Sequence, residues 1–246
     1  MKTLKKIISD LLVVIRLATT KSMTLSRFLF TIFNRAILYK NAVILDYSDR
    51  ERSEVINRIK KVKEEVKMLM EINEAYQVMM AVRRTQKIQG DIAEVGVYRG
   101  GSSKIICEAK GNKVLHLFDT FDGLPELSQK DDPKYFHKGE FRALFEEVKR
   151  YLREYSNVYL YKGFFPDTAG PIKNKKFSFV NLDVDIYKST LDCLKFFYPR
   201  MNRGGIIMSH DYINAVGVRR AFDEFFKDKK EPIIEMSGSQ CLIVRL

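Results

Sequence analysis

The spacing of apolar residues divides the chain into three stretches of different character. From residue 7 to residue 38, apolar positions are mixed with Lys and Arg in a pattern compatible with amphipathic helices. The stretch Glu51–Thr85 predicts one helix that packs ahead of the core, because its apolar residues recur at helical spacing. Those positions are Val55, Ile59, Val62, Val66, Leu69 and Ile72. After Gly90, short β-rich runs alternate with helical stretches, which is typical of βαβ units and a mainly parallel sheet.

Individual elements of the sheet region follow from these runs. Strands are predicted at Ile92–Val97, Val114–Phe118, Val158–Tyr161, Phe177–Val184 and Gly205–Met208. Helices are predicted at Ser102–Ala109, Phe141–Tyr155, Thr190–Tyr198 and Val216–Phe226. Two final strands, Pro232–Met236 and Gln240–Val244, predict an antiparallel hairpin. At 246 residues with 46% apolar content, the chain fits one Rossmann-like α/β domain with a mainly parallel seven-stranded sheet and an N-terminal helical extension.

The formal net charge of +12 is concentrated at the start of the chain. The first forty residues hold one acid, Asp10, and eight basic residues, which are Lys2, Lys5, Lys6, Arg16, Lys21, Arg27, Arg35 and Lys40. The remaining excess forms no dense stripe, so nucleic acid is not an expected partner. We expect a basic arm over residues 1–45. Its residues 1–40 either lie on an anionic membrane surface or pack on this domain or on a second subunit.

Cysteine spacing and hydropathy bear on the compartment. The three cysteines, Cys107, Cys193 and Cys241, are odd in number and far apart, which favours neither a disulfide framework nor a zinc site. No apolar run reaches the roughly 18 to 20 residues of a spanning helix, and no small-residue cleavage site follows Leu11–Leu17. We therefore expect a cytoplasmic protein, with membrane association through the arm as the alternative.

The first motif, Glu94–Ser103, stands where a strand turns into a helix and reads EVGVYRGGSS. Glycines let the backbone approach a ligand, and the helix start offers free amides to a carboxylate. The methionyl carboxylate of S-adenosylmethionine would suit that position, with Glu94 on its ammonium. The G-x-x-x-G-G spacing differs from the G-x-G-x-x-G of dinucleotide sites. A glycine turn that merely packs a strand against a helix is the alternative.

The second motif is an acid at the end of the next strand. Asp119 lies 23 residues after Gly96, close to the interval at which such folds place a carboxylate on ribose hydroxyls. A carboxylate can accept both hydroxyl protons at once. The alternative is a solvated acid at a strand end, and the first motif makes the ligand-binding interpretation the better one.

Polar residues also follow the fourth and fifth strands. Because parallel strand ends meet at one edge of a sheet, Asp183, His210 and Asp211 are expected to form one cluster. Such a cluster suits a divalent cation that binds a substrate hydroxyl and lowers its pKa. Helix capping by the two acids is the alternative. Without a metal, Asp183 or His210 would act directly as a general base.

The longest region without a predicted element runs from Gly123 to Gly139. An unstructured segment of this length is uncommon without a role, so it is a candidate substrate loop. His137 in this loop is a further candidate base, although a loop histidine is more often a surface residue.

Five linked motifs, in order over residues 70–246, resemble those of the macrocin O-methyltransferase family. They are Glu94–Ser103, Phe118–Pro125, Gly163–Thr168, Leu182–Thr190 and Gly204–Tyr212. The resemblance implies methyl transfer from S-adenosylmethionine to a sugar hydroxyl of a macrolide or related product, commonly with magnesium. Residues 89–246 would then form the catalytic domain and residues 46–88 a helical lid or packing region. The final hairpin resembles the strand pair that closes the sheet of such methyltransferases.

Carried onto matching positions, the resemblance implies the residues of the site. It puts Glu94, Gly96, Ser102 and Asp119 around the cofactor, and Asp183 and Asp211 on the metal. To the cofactor site we add the motif residues Tyr98, Gly101, Ser103, Thr120, Gly163, Phe165 and Asp183. The family usually has two consecutive aspartates before the tyrosine, whereas this chain has His210 and then Asp211. If His210 coordinates, its nitrogen disfavours magnesium relative to manganese, iron or zinc.

Two rival functions remain open from the sequence. The first is methylation of another acceptor, such as RNA or an amine, although no N/D-P-P-Y/F segment of the amino-methylating type is present. The second is a non-catalytic module that binds a nucleotide-like ligand or tethers partners through the basic arm. For the main interpretation we expect a saccharide or glycolipid substrate and a homo-oligomer.

Overall fold

The computed structural model describes residues 50–246, and the predicted arm over residues 1–45 lies outside them. Two helices precede the sheet, α1 (Arg50–Glu65) and α2 (Ile72–Arg84). The prediction of one continuous helix over Glu51–Thr85 was therefore wrong. In the intervening segment, Met68 and Met70 are buried while Leu69 between them is 49% exposed. This alternation is that of an extended chain and not of a helix.

Seven strands form one sheet in the order β3-β2-β1-β4-β5-β7-β6. The strands are β1 (Asp91–Val95), β2 (Leu115–Asp119), β3 (Val158–Lys162), β4 (Phe177–Leu182), β5 (Met201–Ser209), β6 (Ile234–Glu235) and β7 (Cys241–Val244). The first five pair in parallel, and β7 pairs antiparallel with both β5 and β6. The predicted Rossmann-like sheet with its closing hairpin is confirmed.

Helices cover both faces of the sheet and create two apolar cores. The helices after β1 are α3 (Gly101–Ala109), α4 (Phe145–Tyr151), α5 (Tyr187–Phe197) and α6 (Val216–Phe226), with short 3-10 helices at Asp167–Ile172 and Tyr198–Arg200. One core joins sheet residues such as Ile92 and Leu117 to α2 and α3, and the other joins Val95 and Leu182 to α5 and α6. Because β4 is buried along its whole length, only the strand ends are free to carry a site.

The strand order reverses between β1 and β4. From β1 the chain adds β2 and β3 on one side, then crosses back to place β4 and β5 on the other. In open α/β sheets, ligands bind beyond the carboxyl ends of the strands at such a reversal. The loops after β1, β2, β4 and β5 therefore converge where the sequence motifs lie.

The segment Gly123–Gly139 contains no helix or strand, as predicted. Its base is closed by the Gly139 amide, which donates to the Leu124 carbonyl at 2.8 Å. Its middle is fixed by Asp131, whose Oδ1 accepts the backbone N–H of Tyr187 at 2.7 Å, at the start of α5. The same oxygen lies against Gly217 of α6, where an added Cβ would approach it to 1.9 Å. The loop is thus held in one conformation by its contacts with α5 and α6.

The helix predicted over Phe141–Tyr155 is shorter than expected. Helix α4 begins only at Phe145 and ends at Tyr151. Phe141 has a φ of 61°, in the left-handed region that an α-helix cannot include. Its ring instead contacts that of Tyr98 edge-on, with centroids 6.0 Å apart. The residues just before α4 therefore continue the irregular segment that begins at Gly123.

The described residues contain three buried cysteines and no helix suited to crossing a bilayer. Cys107, Cys193 and Cys241 are free thiols. Burial raises the pKa of Cys107 to about 12 and also raises the pKa of Cys193. Such thiols stay protonated at neutral pH and behave as small apolar side chains. Between residues 50 and 246, every helix is too short or too polar to serve as a membrane span.

Candidate active site

A cavity of about 480 Å³ opens at the carboxyl ends of β1, β2, β4 and β5. The residues that follow these four strands form its floor and sides. The extended segment between α1 and α2, including Met68 and Met70, contributes one further wall, and Tyr135 and Phe136 of the substrate loop contribute another. The motifs that were separate in the sequence therefore surround a single space.

The glycine turn after β1 packs directly on the end of β4. Gly96 has a φ of 89°, and its amide donates to the Phe118 carbonyl at 2.9 Å. A Cβ at this position would lie 1.7 Å from the backbone oxygen of Asp183. Only glycine allows the two backbones to lie this close. The contact joins the Glu94–Ser103 motif directly to Asp183.

Asp119 supports the glycine turn from the end of β2. Its Oδ2 accepts the backbone N–H groups of Val97 at 2.7 Å and Tyr98 at 2.8 Å, and its Oδ1 accepts that of Phe121 at 2.6 Å. Burial raises the pKa of Asp119, although the three amide donors oppose the shift. A carboxylate offers about four acceptor positions. Asp119 lines the cavity and keeps about one of these positions for a ligand.

Glu94 is fully buried and does not line the cavity. Its Oε1 accepts the Asn181 side-chain amide at 2.9 Å, and its Oε2 accepts the Ser103 hydroxyl. Burial raises the pKa of Glu94 to about 7, while these hydrogen bonds oppose the shift. Contact of Glu94 or Ser103 with a cofactor stays a prediction. The other predicted cofactor residues all line the cavity: Gly96, Tyr98, Gly101, Ser102, Asp119, Thr120, Gly163, Phe165 and Asp183.

Replacing Glu94 with Gln is expected to remove a pH dependence of stability. The folded-state pKa of Glu94 lies above its usual value of 4.5, so its stabilising contribution is full below about pH 4.5 and declines as pH rises through about 7. The wild-type free energy of unfolding should fall by on the order of 3 kcal/mol more than that of Glu94→Gln between pH 5 and pH 8. Urea unfolding at several pH values measures this difference. The exposed Glu147→Gln is the control, and parallel curves for wild type and Glu94→Gln would contradict the prediction.

Asp183, His210 and Asp211 form the predicted cluster, with one ligand atom from each lying within 4.8 Å of the others. The His210 Nδ1 atom lies 3.2 Å from Asp183 Oδ1 and 2.9 Å from Asp211 Oδ2. Asp211 follows the end of β5 with a φ of 59°, a left-handed conformation that aspartate tolerates better than most residues. The ends of β4 and β5 thus present two carboxylates and an imidazole to the cavity.

Two acids that the sequence analysis did not single out join this cluster. Glu74 of α2 places its Oε2 atom 3.2 Å from His210 Nε2. Asp185, two residues after Asp183, also lines the cavity and has a φ of 61°. The Asp-x-Asp spacing could have indicated Asp185. No local signal marks Glu74, because it lies in a helix 136 residues before His210.

The charges in the cluster shift one another. Burial disfavours the charged imidazole, yet Asp183, Asp211 and Glu74 outweigh it and raise the pKa of His210 well above its usual value. Burial also disfavours the charged carboxylate of Glu74 and would raise its pKa. Contacts with His210, Ser239 and Glu71 outweigh burial and lower the pKa of Glu74 to about 2. Burial and the neighbouring carboxylates raise the pKa of Asp185. Acidic groups outnumber the single basic one, so the cluster attracts cations.

His137, the other predicted base, lies outside the cluster. Its side chain is 67% exposed and its Nδ1 atom lies 3.3 Å from Glu140 Oε1. It is not part of the cavity wall, although its neighbours Tyr135 and Phe136 are. His137 is therefore an exposed loop residue that lies apart from the cavity and the cluster.

The family model described as macrocin O-methyltransferase (TylF) matches residues 32–241. The chain belongs to this family. Membership confirms the resemblance carried by the five motifs, and the sheet order agrees with the fold of O-methyltransferases of known structure. The O-methyltransferase NovP superposes with a TM-score of 0.63 and is 25% identical, covering 72% of this chain and 81% of NovP. The calicheamicin methyltransferase CalS11 superposes with a TM-score of 0.60 and is 17% identical, covering 81% of this chain and 95% of CalS11. At this identity the similarity supports the fold alone.

Similar curated proteins are O-methyltransferases according to their names. The 8-demethyl-8-(2,3-dimethoxy-alpha-L-rhamnosyl)-tetracenomycin-C 4'-O-methyltransferase of Streptomyces olivaceus is 28% identical over 170 residues, 62% of this chain and 64% of that protein. The mycinamicin III 3''-O-methyltransferase of Micromonospora griseorubida is 27% identical over 142 residues, 51% of this chain and 56% of that protein. The matched part thus spans less than two thirds of each of these relatives.

Proposed function

We propose that this macrocin O-methyltransferase family member transfers a methyl group from S-adenosylmethionine to a hydroxyl of a sugar or glycosylated small molecule. The observation that carries the proposal is the shared cavity. The glycine turn and Asp119 line the same space as Asp183, His210 and Asp211. A cofactor bound by the glycine turn and Asp119 would place its methyl group next to an acceptor bound at Asp183, His210 and Asp211.

The cofactor half of the proposal is supported by the geometry at the start of α3. Gly101 and Ser102 line the cavity at the first residues of this helix, where unpaired amides and the helix dipole favour a carboxylate. Asp119, at the end of the neighbouring strand, is suited to accept one hydroxyl proton of a ribose with its remaining acceptor position. These two features match the ends of an amino-acid nucleoside such as S-adenosylmethionine.

The acceptor half is supported by the name of one relative, which specifies a compound that carries a rhamnosyl group. The cavity wall that remains for an acceptor carries aromatic side chains, including Tyr135, Phe136 and Phe141. Aromatic rings offer flat apolar faces with little rotamer entropy to lose. A sugar joined to an apolar aglycone would fit such a wall.

A divalent cation fits the donor set of the cluster. Two carboxylate oxygens and one imidazole nitrogen lie close together with an excess of acidic groups around them. Asp183, His210 and Asp211 would hold the ion, with manganese or magnesium as the ions that we expect. When bound, the ion would polarise the acceptor hydroxyl and lower its pKa.

The residues of the chain would position the reactants and accept one proton. In the transfer, the acceptor oxygen forms a bond to the methyl carbon while the carbon–sulfur bond breaks, and the sulfonium becomes a neutral thioether. The hydroxyl proton passes to the carboxylate of Asp183. His210 is less suited to accept it, because both of its ring nitrogens already face carboxylates. Positioning and charge neutralisation would supply most of the acceleration.

Titration calorimetry with S-adenosylmethionine and S-adenosylhomocysteine tests the cofactor half. Wild type should bind both, and Asp119→Ala should bind at least about tenfold more weakly, because it loses a ligand acceptor and the brace of three backbone amides. Asp228→Ala, on the exposed surface, is the control. Absence of binding by wild type would favour a non-catalytic module. Methyl transfer to RNA or an amine, with none to glycosides, would refute the sugar acceptor.

The arm at the start of the chain belongs to the same proposal. Its contact with an anionic membrane, or its role in a homo-oligomer, stays a prediction because residues 1–40 lie outside the described residues. Deleting them and measuring liposome association and subunit mass separates the two roles. The cytoplasmic location predicted from the sequence likewise remains a proposal.

A further inference from the structure

We infer that Glu74 orients the His210 ring so that Nδ1 faces the cation position, which makes this a mixed nitrogen and oxygen site that prefers manganese over magnesium. The inference rests on the methyltransferase function proposed above, since it assigns a positioning residue to the same cluster. Glu74 belongs to none of the five sequence motifs. It reaches the cluster from α2, ahead of the sheet.

Glu74 is held in one position by contacts on both carboxylate oxygens. Its Oε1 accepts the backbone N–H of Ser239 at 2.7 Å and the hydroxyl of the same residue at 2.8 Å. Its Oε2 accepts the backbone N–H of Glu71 at 2.9 Å. The side chain is only 6% exposed, and Gly238 packs so closely that an added Cβ would approach Oε1 to 2.5 Å. The carboxylate is therefore a fixed acceptor.

The remaining contact of Glu74 keeps the proton on Nε2 of His210. Glu74 Oε2 lies 3.2 Å from His210 Nε2, and a carboxylate can only accept a hydrogen bond. Nε2 must therefore donate to Glu74, and a cation held by Asp183 and Asp211 would displace the proton from Nδ1 and bind to that nitrogen. Nδ1 is also the atom that lies close to Asp183 Oδ1 and Asp211 Oδ2.

A histidine that ligates a metal commonly donates its other N–H to a carboxylate, which fixes the ring and raises its basicity as a ligand. Glu74 supplies this partner here. An imidazole nitrogen suits manganese better than magnesium, which prefers oxygen ligands in strict octahedral geometry. With Asp in place of His210, Glu74 would face a second carboxylate and repel it. Glu74 and His210 thus form a matched pair.

Manganese binding to the full chain tests the inference independently of methyl transfer. Free Mn²⁺ is followed by electron paramagnetic resonance, with Mg²⁺ as competitor, for wild type, Glu74→Gln, His210→Asp and the double variant. Wild type should prefer manganese. Glu74→Gln should weaken Mn²⁺ binding about 10- to 100-fold with unchanged affinity for S-adenosylmethionine. His210→Asp should shift the preference toward magnesium. The double variant should bind Mg²⁺ as tightly as His210→Asp alone, or more tightly.

The reversal between the two backgrounds distinguishes ring orientation from a general structural role, because a folding defect would weaken binding in both. Ser239→Ala, which removes the hydroxyl donor to Glu74 and a weak acceptor of the Asp211 backbone N–H at 3.4 Å, should cause a smaller loss of Mn²⁺ affinity in the same direction. Equal Mn²⁺ affinity of wild type and Glu74→Gln would overturn the inference, as would no Mn²⁺ binding by wild type. Calorimetry with S-adenosylmethionine on the same samples shows separately whether the proposed function itself stands.

Discussion

Asp183→Asn is expected to lower the rate of methyl transfer by at least about 10³-fold while leaving S-adenosylmethionine affinity within a few-fold of wild type. The substitution removes the proposed proton acceptor, which typically contributes 10²- to 10⁴-fold, together with one proposed ligand of the cation. The backbone of Asp183, which packs on Gly96, is retained. Single-turnover rates and calorimetry on the same preparation measure the two quantities.

The control for this variant is Asp228→Asn, an acid on the exposed surface after α6. It should transfer methyl groups at the wild-type rate. If Asp183→Asn also retained the wild-type rate, Asp183 would have no part in the chemistry. A parallel loss of cofactor affinity would instead indicate that the side chain supports the cofactor site.

Gly96→Ala is expected to damage both halves of the site at once. The new methyl group would lie 1.7 Å from the Asp183 backbone oxygen, and the residue would still need a φ of 89°. The end of β1 or that of β4 must move. We expect a loss of stability of roughly 3 kcal/mol or more and a loss of S-adenosylmethionine affinity beyond about 100-fold, equivalent to about 2.7 kcal/mol.

Gly170→Ala is the matched control for Gly96→Ala, because no atom lies within 4 Å of the position that its Cβ would take. Thermal unfolding and calorimetry should show it close to wild type. A Gly96→Ala protein with wild-type melting temperature and cofactor affinity would mean that the turn after β1 has another conformation. It would also remove the backbone link on which the shared cavity depends.

The sequence predicted the sheet and most of the cavity floor because both depend on local patterns. Strands β1 and β4 are short, mostly apolar segments. A glycine turn follows the first and Asp183 follows the second, so each segment predicts both a buried strand and a functional tip. The hairpin at Ser237–Ser239 has a clear turn composition. Asp183, His210 and Asp211 could be grouped from topology alone, since the ends of neighbouring parallel strands must meet.

The walls of the cavity could not be predicted in this way. Helical spacing continues across Val66 and Leu69, so the break between α1 and α2 has no periodic signal, and tertiary packing of Met68 and Met70 decides it. Tertiary structure also decides the conformation of Phe141. The surrounding loop fixes its left-handed backbone, which phenylalanine does not favour by itself. Glu74 was missed for a related reason. Its partners, Ser239 and His210, are distant in sequence and adjacent only after folding.

The attachment of the loop over residues 123–139 at Asp131 has a consequence for changing the acceptor of the proposed transfer. The carboxylate fills the space that a side chain at Gly217 would need and occupies the first amide of α5. A loop transplanted from a relative would keep its shape here only if it carried an aspartate in place of Asp131 and if the position of Gly217 remained a glycine. Altering acceptor preference in this scaffold is thus a two-segment engineering problem, in which residues 123–139 and the beginning of α6 must be exchanged as one unit.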